Sequence, residues 1–294
     1  MPPRPLDSTL LTRRIDEIAS SCGATTVAAS LYDYEHDLSW SYHADRWCHA
    51  ASTIKVAVLY ALYAAIDERR FGPYRRLHIR NRFLSAADGS PFRVAAARDG
   101  DSDVHNAIGK TMRLEELATH MIATSSNLAT NLLLDLFGVE YARRALAAGG
   151  IEGVDLVRGV EDDLAFDAGV NNRVTANGLV ALFRAIHDAR GISRRASGDM
   201  LEILAMQQFR SGIPAGLPAD ARNRARIANK TGEISTAAHD AGIVFVAGRQ
   251  PYVIAVLTEH EPDTGKRMEP VAMVSRAIYD WLIETDPPAA EQCV

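Results

Sequence analysis

The sequence predicts an α+β fold in which two groups of strands, one near each end of the chain, form a single antiparallel sheet. Segments rich in β-forming residues lie before residue 45 and after residue 224, and the segments between them have helical periodicity. Because strands and helices are segregated, the pattern argues against repeated βαβ units. With 294 residues, the chain can bury a sizeable core as one domain of two interlocked lobes. We expect an α/β lobe at residues 1–50 and 212–286, an inserted helical lobe at 51–211 and a loose tail at 287–294.

The first and last segments supply the sheet and the helices that cover it. An amphipathic helix is expected at residues 7–21, followed by a β-hairpin whose strands span 25–34 and 38–42. Three further strands follow the helical block, and a helix at 270–284 closes the fold. These strands are expected at residues 225–230, 241–247 and 252–259. The buried face of the last helix is expected to consist of Val271, Val274, Ile278 and Trp281.

The middle of the chain is mainly helical. Its first helix begins at Ser52 and continues into an apolar run, VAVLYALYAAI, that is too hydrophobic for a surface helix. The polar, glycine-containing stretch at 71–108 has no clear periodicity, so no element is assigned to it. The expected helices span 52–69, 113–123, 127–137, 139–148, 175–189 and 193–207.

Composition argues against several functional classes. With 47% hydrophobic residues, 23% charged residues and a net charge of −5, the chain does not resemble a nucleic-acid-binding protein. No apolar segment has the length of a membrane span. The N-terminus carries charges where a signal peptide needs an apolar core. We therefore expect either a cytoplasmic protein or a mature periplasmic or secreted form whose leader has been removed.

Neither the cysteines nor the histidines indicate a disulfide framework or a metal site. Cys22, Cys48 and Cys293 form no recognisable pattern, and their odd number argues against a design based purely on disulfides. The nine histidines lack HExxH or paired-ligand spacing, so no metal and no cofactor are expected. The expected partner is a small-molecule substrate, and the chain is expected to be a monomer.

The segment Ser52-Thr53-Ile54-Lys55 carries the most informative chemistry. A serine hydroxyl is a poor nucleophile at its ordinary pKa and needs a base beside it. Residues three apart on a helix share a face, so the Lys55 amine can lie beside the Ser52 hydroxyl. Burial can hold this amine neutral and make it that base. The Ser-x-x-Lys spacing also arises by chance, but here it occurs once and begins a buried helix.

Two other short motifs could complete such a site. Ser125-Ser126-Asn127 lies between two apolar helices, where a hydroxyl and an amide could project into a cleft or simply cap a helix. Lys230-Thr231-Gly232 follows a strand, and its glycine would let a ligand approach the backbone closely. By itself, this third motif would mark no more than the end of an edge strand.

Together and in this order, the three motifs resemble the S-x-x-K, S-D-N and K-T-G signature of class A β-lactamases and penicillin-binding proteins. The chain thus resembles the serine β-lactamase and penicillin-recognising family, class A most closely, from about residue 20 to residue 284. The resemblance implies the β-lactamase/transpeptidase-like fold, an antiparallel sheet flanked by the terminal helices with an inserted all-helical lobe. It also implies acyl transfer through a serine nucleophile.

The resemblance implies roles for the residues that match the first two motifs. Ser52 is the expected acylating nucleophile, and Lys55 is the amine that helps to deprotonate it. Ser125 is the hydroxyl that passes a proton to the β-lactam nitrogen as the ring opens. Asn127 is the amide that binds the acyl side chain of the substrate.

The third motif is expected to bind the substrate and its oxyanion. Lys230 and Thr231, followed by Gly232, match the residues that bind the substrate carboxylate. The backbone N–H groups of Ser52 and Glu233 would form the oxyanion hole, where one donor is worth roughly 3–4 kcal/mol. His239 and Asp240 are expected on the turn after this strand, where His239 could assist as a cation or simply form the turn.

The match is weaker for the second half-reaction, in which water releases the acyl group. Class A enzymes hold this water with a glutamate and an asparagine in the pattern Glu-x-x-Leu-Asn. Glu161 and Leu164 keep the spacing, but Ala165 occupies the asparagine position. Two interpretations of Glu161 remain open: a general base for deacylation, or one of three acidic residues on an exposed loop.

Two further departures concern the support of this loop. Ser126 replaces the aspartate of the second family motif, a residue that braces the loop. The arginine-to-aspartate link across the neck of the loop is expected to become a hydrogen bond from Arg158 to Asn171 or Asn172, without the charge pair.

The expected function is opening of a β-lactam ring through an acyl-enzyme at Ser52, followed by hydrolysis. One alternative is a penicillin-binding DD-peptidase or a related esterase, whose deacylation would not need Glu161. Another is a binding protein that acylates and stalls, which Ala165 favours. A non-catalytic descendant is disfavoured because the three motifs survive.

Overall fold

The computed structural model describes residues 8–72, 74–262 and 264–285. The helices are α1 (Ser8–Ser21), α2 (Lys55–Asp67), α3 (Ser102–Asn106), α4 (Leu114–Ala123), α5 (Asn127–Phe137), α6 (Val139–Ala148), α7 (Asp163–Asp167), α8 (Ala176–His187), α9 (Arg194–Ala205), α10 (Ile213–Gly216), α11 (Ala219–Arg224) and α12 (Glu269–Thr285). The strands are β1 (Thr26–Asp33), β2 (Leu38–Tyr42), β3 (Cys48–His49), β4 (Arg76–His78), β5 (Phe83–Leu84), β6 (Pro91–Phe92), β7 (Thr111–Arg113), β8 (Val154–Asp155), β9 (Arg173–Val174), β10 (Arg226–Ile234), β11 (Ala237–Phe245) and β12 (Tyr252–Glu259).

A five-stranded antiparallel sheet joins the strands from both ends of the chain, in the order β10-β11-β12-β1-β2. Ser30 of β1 lies opposite Ala255 of β12, and Ala255 lies opposite Ala241 of β11. The N-terminal hairpin therefore adds directly to the C-terminal strands. This confirms the α+β fold with one antiparallel sheet that the segregated sequence pattern predicts.

The sheet has a hydrophobic core on each face. Along β1, Val27, Ala29 and Leu31 belong to the core that includes α1 and α12. Ala28 and Tyr32, which alternate with them, belong to the core formed with the helical block. Alternate side chains of a strand point to opposite faces, so both faces of this strand must be apolar. The predicted face of α12 is buried as expected at Val271, Val274, Ile278 and Trp281.

The inserted helices surround α2. Every residue of α2 from Lys55 to Ala65 is buried, and the helix contacts α4, α5, α6 and α9. This confirms the prediction of a buried helix from its uniformly apolar sequence. The first predicted turn of that helix is a 3₁₀ turn, Ala51–Ile54, and the α-helix begins at Lys55. The division of the chain into two lobes remains a prediction.

The predicted end of the strand at residue 230 is wrong. β10 continues to Ile234, so Lys230-Thr231-Gly232 lies inside the strand and not after it. Gly232 pairs with His239, and Glu233 pairs with Ala238. Glycine weakens a strand because it has no side chain to pack, but its backbone groups still join the ladder.

The placement of His239 and Asp240 on a turn is also wrong. Both are buried within β11, and the turn consists of the two residues between β10 and β11. Nε2 of His239 donates to the carbonyl oxygen of His49 at 2.9 Å, and Nδ1 accepts from the N–H of Thr258 at 3.2 Å. Burial lowers the pKa of His239, so this residue is a neutral part of the sheet and not a surface cation.

The cysteines and the chain ends add little to the fold. Cys22 and Cys48 are free thiols. Cys293 and the predicted tail at 287–294 lie outside the described residues. Within the described part of the chain, no helix is both long enough and apolar enough to cross a bilayer.

Candidate active site

A cleft of about 530 Å³ brings four predicted site residues together. Ser52, Asn127, Glu161 and Glu233 all line it. They belong to four separate segments: the 3₁₀ turn before α2, the start of α5, the loop before α7 and the end of β10. The cleft thus lies where the edge of the sheet meets the helical block.

Backbone strain is found at three positions of this site. Ala51, Ser125 and Glu161 have φ values of 45°, 62° and 59°. For residues other than glycine, such a conformation costs about 1–3 kcal/mol and persists only where the surroundings enforce it. The three residues are the neighbour of the predicted nucleophile, the predicted proton relay and the predicted general base.

Lys55 is fully buried and joins the first motif to the second. Its Nζ donates to the carbonyl oxygen of Ser125 at 2.7 Å, to Oγ of Ser125 at 3.0 Å and to Oδ1 of Asn127 at 2.7 Å. Burial lowers the pKa of Lys55 to about 7, although the carboxylates of Asp99 and Glu161 favour its charged form. An amine with this pKa is partly neutral at pH 7 and can accept a proton.

In the second motif, the capping role and the site roles fall on different residues. Oγ of Ser126 accepts from the N–H of Ala129 at 3.1 Å and caps α5. The side chain of Asn127 is thereby left to bridge two charged groups. Its Oδ1 accepts from Lys55, and its Nδ2 donates to Oε1 of Glu161 at 3.1 Å.

Lys230 is the second buried amine of the site. Its Nζ donates to the carbonyl oxygen of Thr231 at 2.8 Å. Burial lowers its pKa well below the ordinary value, and the nearby charge of Lys55 lowers it further. Asp240, also fully buried, partly opposes this effect. The two amines therefore repel each other when both are charged.

Gly232 allows β10 to lie directly against the turn that carries Ser52. A Cβ atom at this position would lie 2.9 Å from the backbone nitrogens of both Ser52 and Thr53. Only glycine permits so close an approach of two backbones. The contact brings the end of β10, which carries Glu233, to the 3₁₀ turn. An oxyanion hole formed by the N–H groups of Ser52 and Glu233 would require this proximity.

Glu161 is half-buried at the edge of the cleft. Its Oε2 forms an ion pair with Nε of Arg98 at 2.6 Å, and its Oε1 accepts from Asn127. Burial raises the pKa of Glu161, while Arg98 and Lys55 act in the opposite direction. The structure thus places Glu161 in contact with the second motif and not on a fully solvated loop.

The neck of the Glu161 loop is held as the sequence predicts. Nη2 of Arg158 donates to Oδ1 of Asn171 at 2.8 Å, and Oδ1 of Asn172 accepts from the N–H of Arg158 at 3.1 Å. Ala165 is fully buried, and its N–H donates to Oδ1 of Asp162 at 3.1 Å. Its methyl group therefore supplies no polar contact to the cleft.

Three charged residues at the site were missed by sequence reasoning. Arg98 and Asp99 come from the stretch at 71–108 to which no element was assigned, and they contact Glu161 and α5. Nη2 of Arg267 pairs with Oε1 of Glu233 at 3.0 Å from the segment before α12. Each contact spans 28 or more residues of sequence, so no local motif signals it.

One group of possible metal ligands lies beside the cleft. Within the described ranges, Asp101, Asp103 and His120 place one ligand atom each within 4.8 Å of one another. Oδ2 of Asp101 already accepts from Nδ1 of His120 at 2.6 Å and from Oγ1 of Thr124. Its Oδ1 accepts from the N–H of Asp103 at 2.7 Å. These contacts account for the cluster as the support of a loop.

The chain is similar to known proteins in sequence and in fold. The sequence profile described as the beta-lactamase enzyme family matches residues 10–282. The solved structure of PBP-A is 27% identical with a TM-score of 0.80, covering 97% of this chain and 99% of that one. A PBP-A mutant, solved as an acyl-enzyme complex with penicillin G, is 26% identical with a TM-score of 0.80, covering 97% and 100%.

Two structures described as β-lactamases are also similar. The one from Sphaerobacter thermophilus is 25% identical with a TM-score of 0.77, covering 96% of this chain and 100% of that one. An ancestral class A β-lactamase, at 22% identity and a TM-score of 0.77, covers 92% and 99% and shares the fold. A search of curated protein sequences gives no match.

Proposed function

Because the chain belongs to the β-lactamase enzyme family, we propose that it is a serine hydrolase that opens β-lactam rings through an acyl-enzyme at Ser52. One observation carries the proposal. The buried amine of Lys55, with its pKa lowered to about 7, is hydrogen-bonded to Ser125 and Asn127 beside a cleft that Ser52 and Glu161 line. This arrangement supports the assignment of Lys55 as proton acceptor, Ser125 as proton relay and Ser52 as nucleophile.

Acylation begins when neutral Lys55 accepts the proton of the Ser52 hydroxyl. Oγ of Ser52 then bonds to the carbonyl carbon, and the carbonyl oxygen becomes an oxyanion held by the N–H groups of Ser52 and Glu233. As the carbon–nitrogen bond of the ring breaks, Ser125 gives its proton to the leaving nitrogen. The hydrogen bond between Lys55 and Ser125 returns the first proton to Ser125, so the amine ends neutral.

In the deacylation step, we assign Glu161 as the general base. Its carboxylate takes a proton from water while the water oxygen bonds to the ester carbon, and as the ester bond breaks this proton is passed back to Oγ of Ser52, so Glu161 ends ionised. The contact between Glu161 and Asn127 supports this role because it holds the carboxylate at the cleft. The buried methyl group of Ala165 provides no second group to hold the water, so this step is the weaker of the two.

The second candidate is a penicillin-binding protein that acylates and deacylates slowly, including a DD-peptidase or esterase acting on other acyl donors. Two observations favour it: Ala165 at the position of the family asparagine, and the similarity to PBP-A, one solved structure of which is an acyl-enzyme complex with penicillin G. Acylation at Ser52 is common to both candidates.

A chromogenic cephalosporin separates the candidates when absorbance and intact protein mass are followed together. A β-lactamase should turn over steadily, and Ser52→Ala should abolish both turnover and the mass adduct. Glu161→Gln should accumulate the adduct. Glu152→Gln, which alters an exposed glutamate elsewhere, should behave like the unmodified protein.

A stoichiometric adduct without turnover in the unmodified protein would replace the β-lactamase assignment with the slow acylating protein. The absence of both adduct and turnover would reject acylation by β-lactams and direct the search to other esters and amides.

A further inference from the structure

The carboxylate of Asp99 is the most heavily bonded buried charge beside the cleft. Its side chain has 0% exposure, although it lies in the loop between β6 and α3. Oδ1 accepts from the N–H groups of Asn127 at 3.0 Å and Asp101 at 3.1 Å. Oδ2 accepts from the N–H of Leu128 at 2.8 Å, from Oγ of Ser126 at 3.3 Å and from Nε2 of His105 at 3.1 Å.

Two of these five donors are the first two N–H groups of α5, and a third is the hydroxyl of its N-cap residue, Ser126. The first four N–H groups of a helix have no partner within the helix. Asp99 accepts the first two, Oγ of Ser126 accepts that of Ala129, and the carbonyl oxygen of Ser126 accepts that of Thr130 at 3.3 Å. A buried carboxylate is also stabilised by the positive end of the helix dipole. Asp99 therefore fixes where α5 begins.

The start of α5 is the part of the helix that carries site groups. Ser125 and Asn127 provide all three acceptors of the Lys55 amine, and Asn127 also contacts Glu161. A shift of this helix end would move the hydroxyl of Ser125 and the side-chain amide of Asn127 together. It would also change the contact between Asn127 and Glu161. A displacement of 1 Å in such an arrangement can cost about 10²-fold in rate.

We propose that Asp99 is a positioning residue for acylation, supplying from the loop before α3 the carboxylate that the second motif lacks at Ser126. The inference rests on the proposed function, because it assigns Asp99 to the acylation step at Ser52. In the family motif the carboxylate lies within the Ser-Asp-Asn segment itself. In this chain Ser126 keeps the cap of α5 and donates its hydroxyl proton to the carboxylate of Asp99.

The charge of Asp99 also acts on the two titrating groups of the site. It raises the pKa of Lys55 and that of Glu161. The charged groups that face Lys55 are Asp99 from the loop before α3, Glu161 from the loop before α7 and Lys230 from β10. Removing the charge of Asp99 should lower the pKa of Lys55, because one of the two carboxylates that favour its ammonium form is lost.

The test compares Asp99→Asn with Asp101→Asn. Asp101 is the matched control, because it is a buried aspartate in the same loop that also accepts from a backbone N–H and a histidine. Both variants should lose stability, measured as unfolding temperature by circular dichroism. Asp99→Asn should in addition slow acylation by about 10²-fold and move its acid limb to lower pH, whereas Asp101→Asn should do neither.

A relocation variant distinguishes positioning from stability alone. Asp99→Asn combined with Ser126→Asp returns a carboxylate to the start of α5 from within the motif, and it should recover most of the acylation rate. Failure of this recovery, or equal acylation rates in Asp99→Asn and Asp101→Asn, would overturn the proposal.

A measurement without substrate keeps the two proposals separate. The pKa of Lys55, followed by NMR of labelled lysine side chains, should fall in Asp99→Asn and stay unchanged in Asp101→Asn. If the unmodified protein forms no adduct, the proposed function fails and the acylation role fails with it. If it forms the adduct and the lysine pKa does not respond to Asp99→Asn, the role of Asp99 alone is rejected.

Discussion

At the residue scale, the proposed role of Ser52 as nucleophile requires that residue 232 has no Cβ atom. The Gly232→Ala substitution would place a Cβ 2.9 Å from the backbone nitrogens of Ser52 and Thr53, so the strand or the turn must move. We expect a loss of about 1–3 kcal/mol of stability from overpacking. Acylation should fall by about 10²–10³-fold, the cost of losing one oxyanion donor. Both are measurable by denaturant unfolding and by adduct formation.

Gly198→Ala is the matched control for this change. A Cβ at Gly198, in the middle of α9, would meet no atom within 4 Å. Alanine is favoured over glycine within a helix by about 1 kcal/mol, so this variant should be slightly more stable and acylate normally. Normal acylation by Gly232→Ala would show that the strand does not contribute to the oxyanion hole.

The pH dependence of acylation should reflect Lys55. Because burial lowers its pKa to about 7, the neutral fraction falls about tenfold per pH unit below that value, and the acylation rate should fall with it. Above pH 7 the rate should level off. Glu161→Gln removes a carboxylate that raises the pKa of Lys55, so the midpoint should move to lower pH. Single-turnover rates measured from pH 5 to pH 9 test this; a flat profile would exclude Lys55 as the base.

At the element scale, the loop that carries Glu161 is closed by a hydrogen bond from the guanidinium of Arg158 to the neutral amide of Asn171, where a charge pair would fit. Asn171→Asp would place a carboxylate 2.8 Å from Nη2 of the buried Arg158. Replacing a neutral acceptor of the guanidinium by an ionised one strengthens the hydrogen bond by about 1 kcal/mol, which is the expected gain in the free energy of unfolding at pH 7. The arginine lowers the pKa of the new aspartate. The gain should therefore be present above pH 4 and disappear as the pH falls through the lowered pKa.

The Asn177→Asp substitution provides a control of opposite sign. Nδ2 of Asn177 donates to Oδ1 of Asp45 at 2.7 Å, so a second carboxylate there would repel the first and remove the donor. This variant should be destabilised under the same conditions. A loss of stability in Asn171→Asp comparable with that in Asn177→Asp would show that a charge pair does not strengthen the neck of the loop.

The elements differ in how well the sequence predicts them. The helices α5 and α6 have the predicted bounds, since their apolar periodicity is local and their ends carry a capping serine and glycines. β10 ends four residues later than predicted, at Ile234, because pairing of Gly232 with His239 outweighs the low strand propensity of glycine. The contacts of Asp99 with Ser126 and Leu128 and of Arg98 with Asp163 could not be predicted, because these partners lie 27, 29 and 65 residues away on other segments.

At the scale of the whole molecule, the inserted helical block packs on one face of the sheet that belongs to the predicted α/β lobe. Strand residues such as Ala28, Val253 and Leu257 belong to the same core as the helices of the inserted block. The opposite face of the same strands packs on α1 and α12. Unfolding the inserted helices would expose the sheet face that they cover, and unfolding the sheet would expose the apolar faces of those helices to water. The packing therefore favours a single cooperative unit, even though the chain crosses between the lobes twice.

The chain offers two probes for this cooperativity. All three tryptophans, Trp40, Trp47 and Trp281, lie in the predicted α/β lobe, whereas most helical residues lie in the inserted block. Unfolding by urea should give coincident transitions by tryptophan fluorescence and by far-ultraviolet circular dichroism.

Leu133→Ala in α5 and Ile278→Ala in α12 each remove a fully buried side chain, one from each core, at a cost of about 2–5 kcal/mol. Each variant should shift both probes by the same amount. A shift of the dichroism signal alone in Leu133→Ala would show instead that the helical lobe unfolds independently of the sheet.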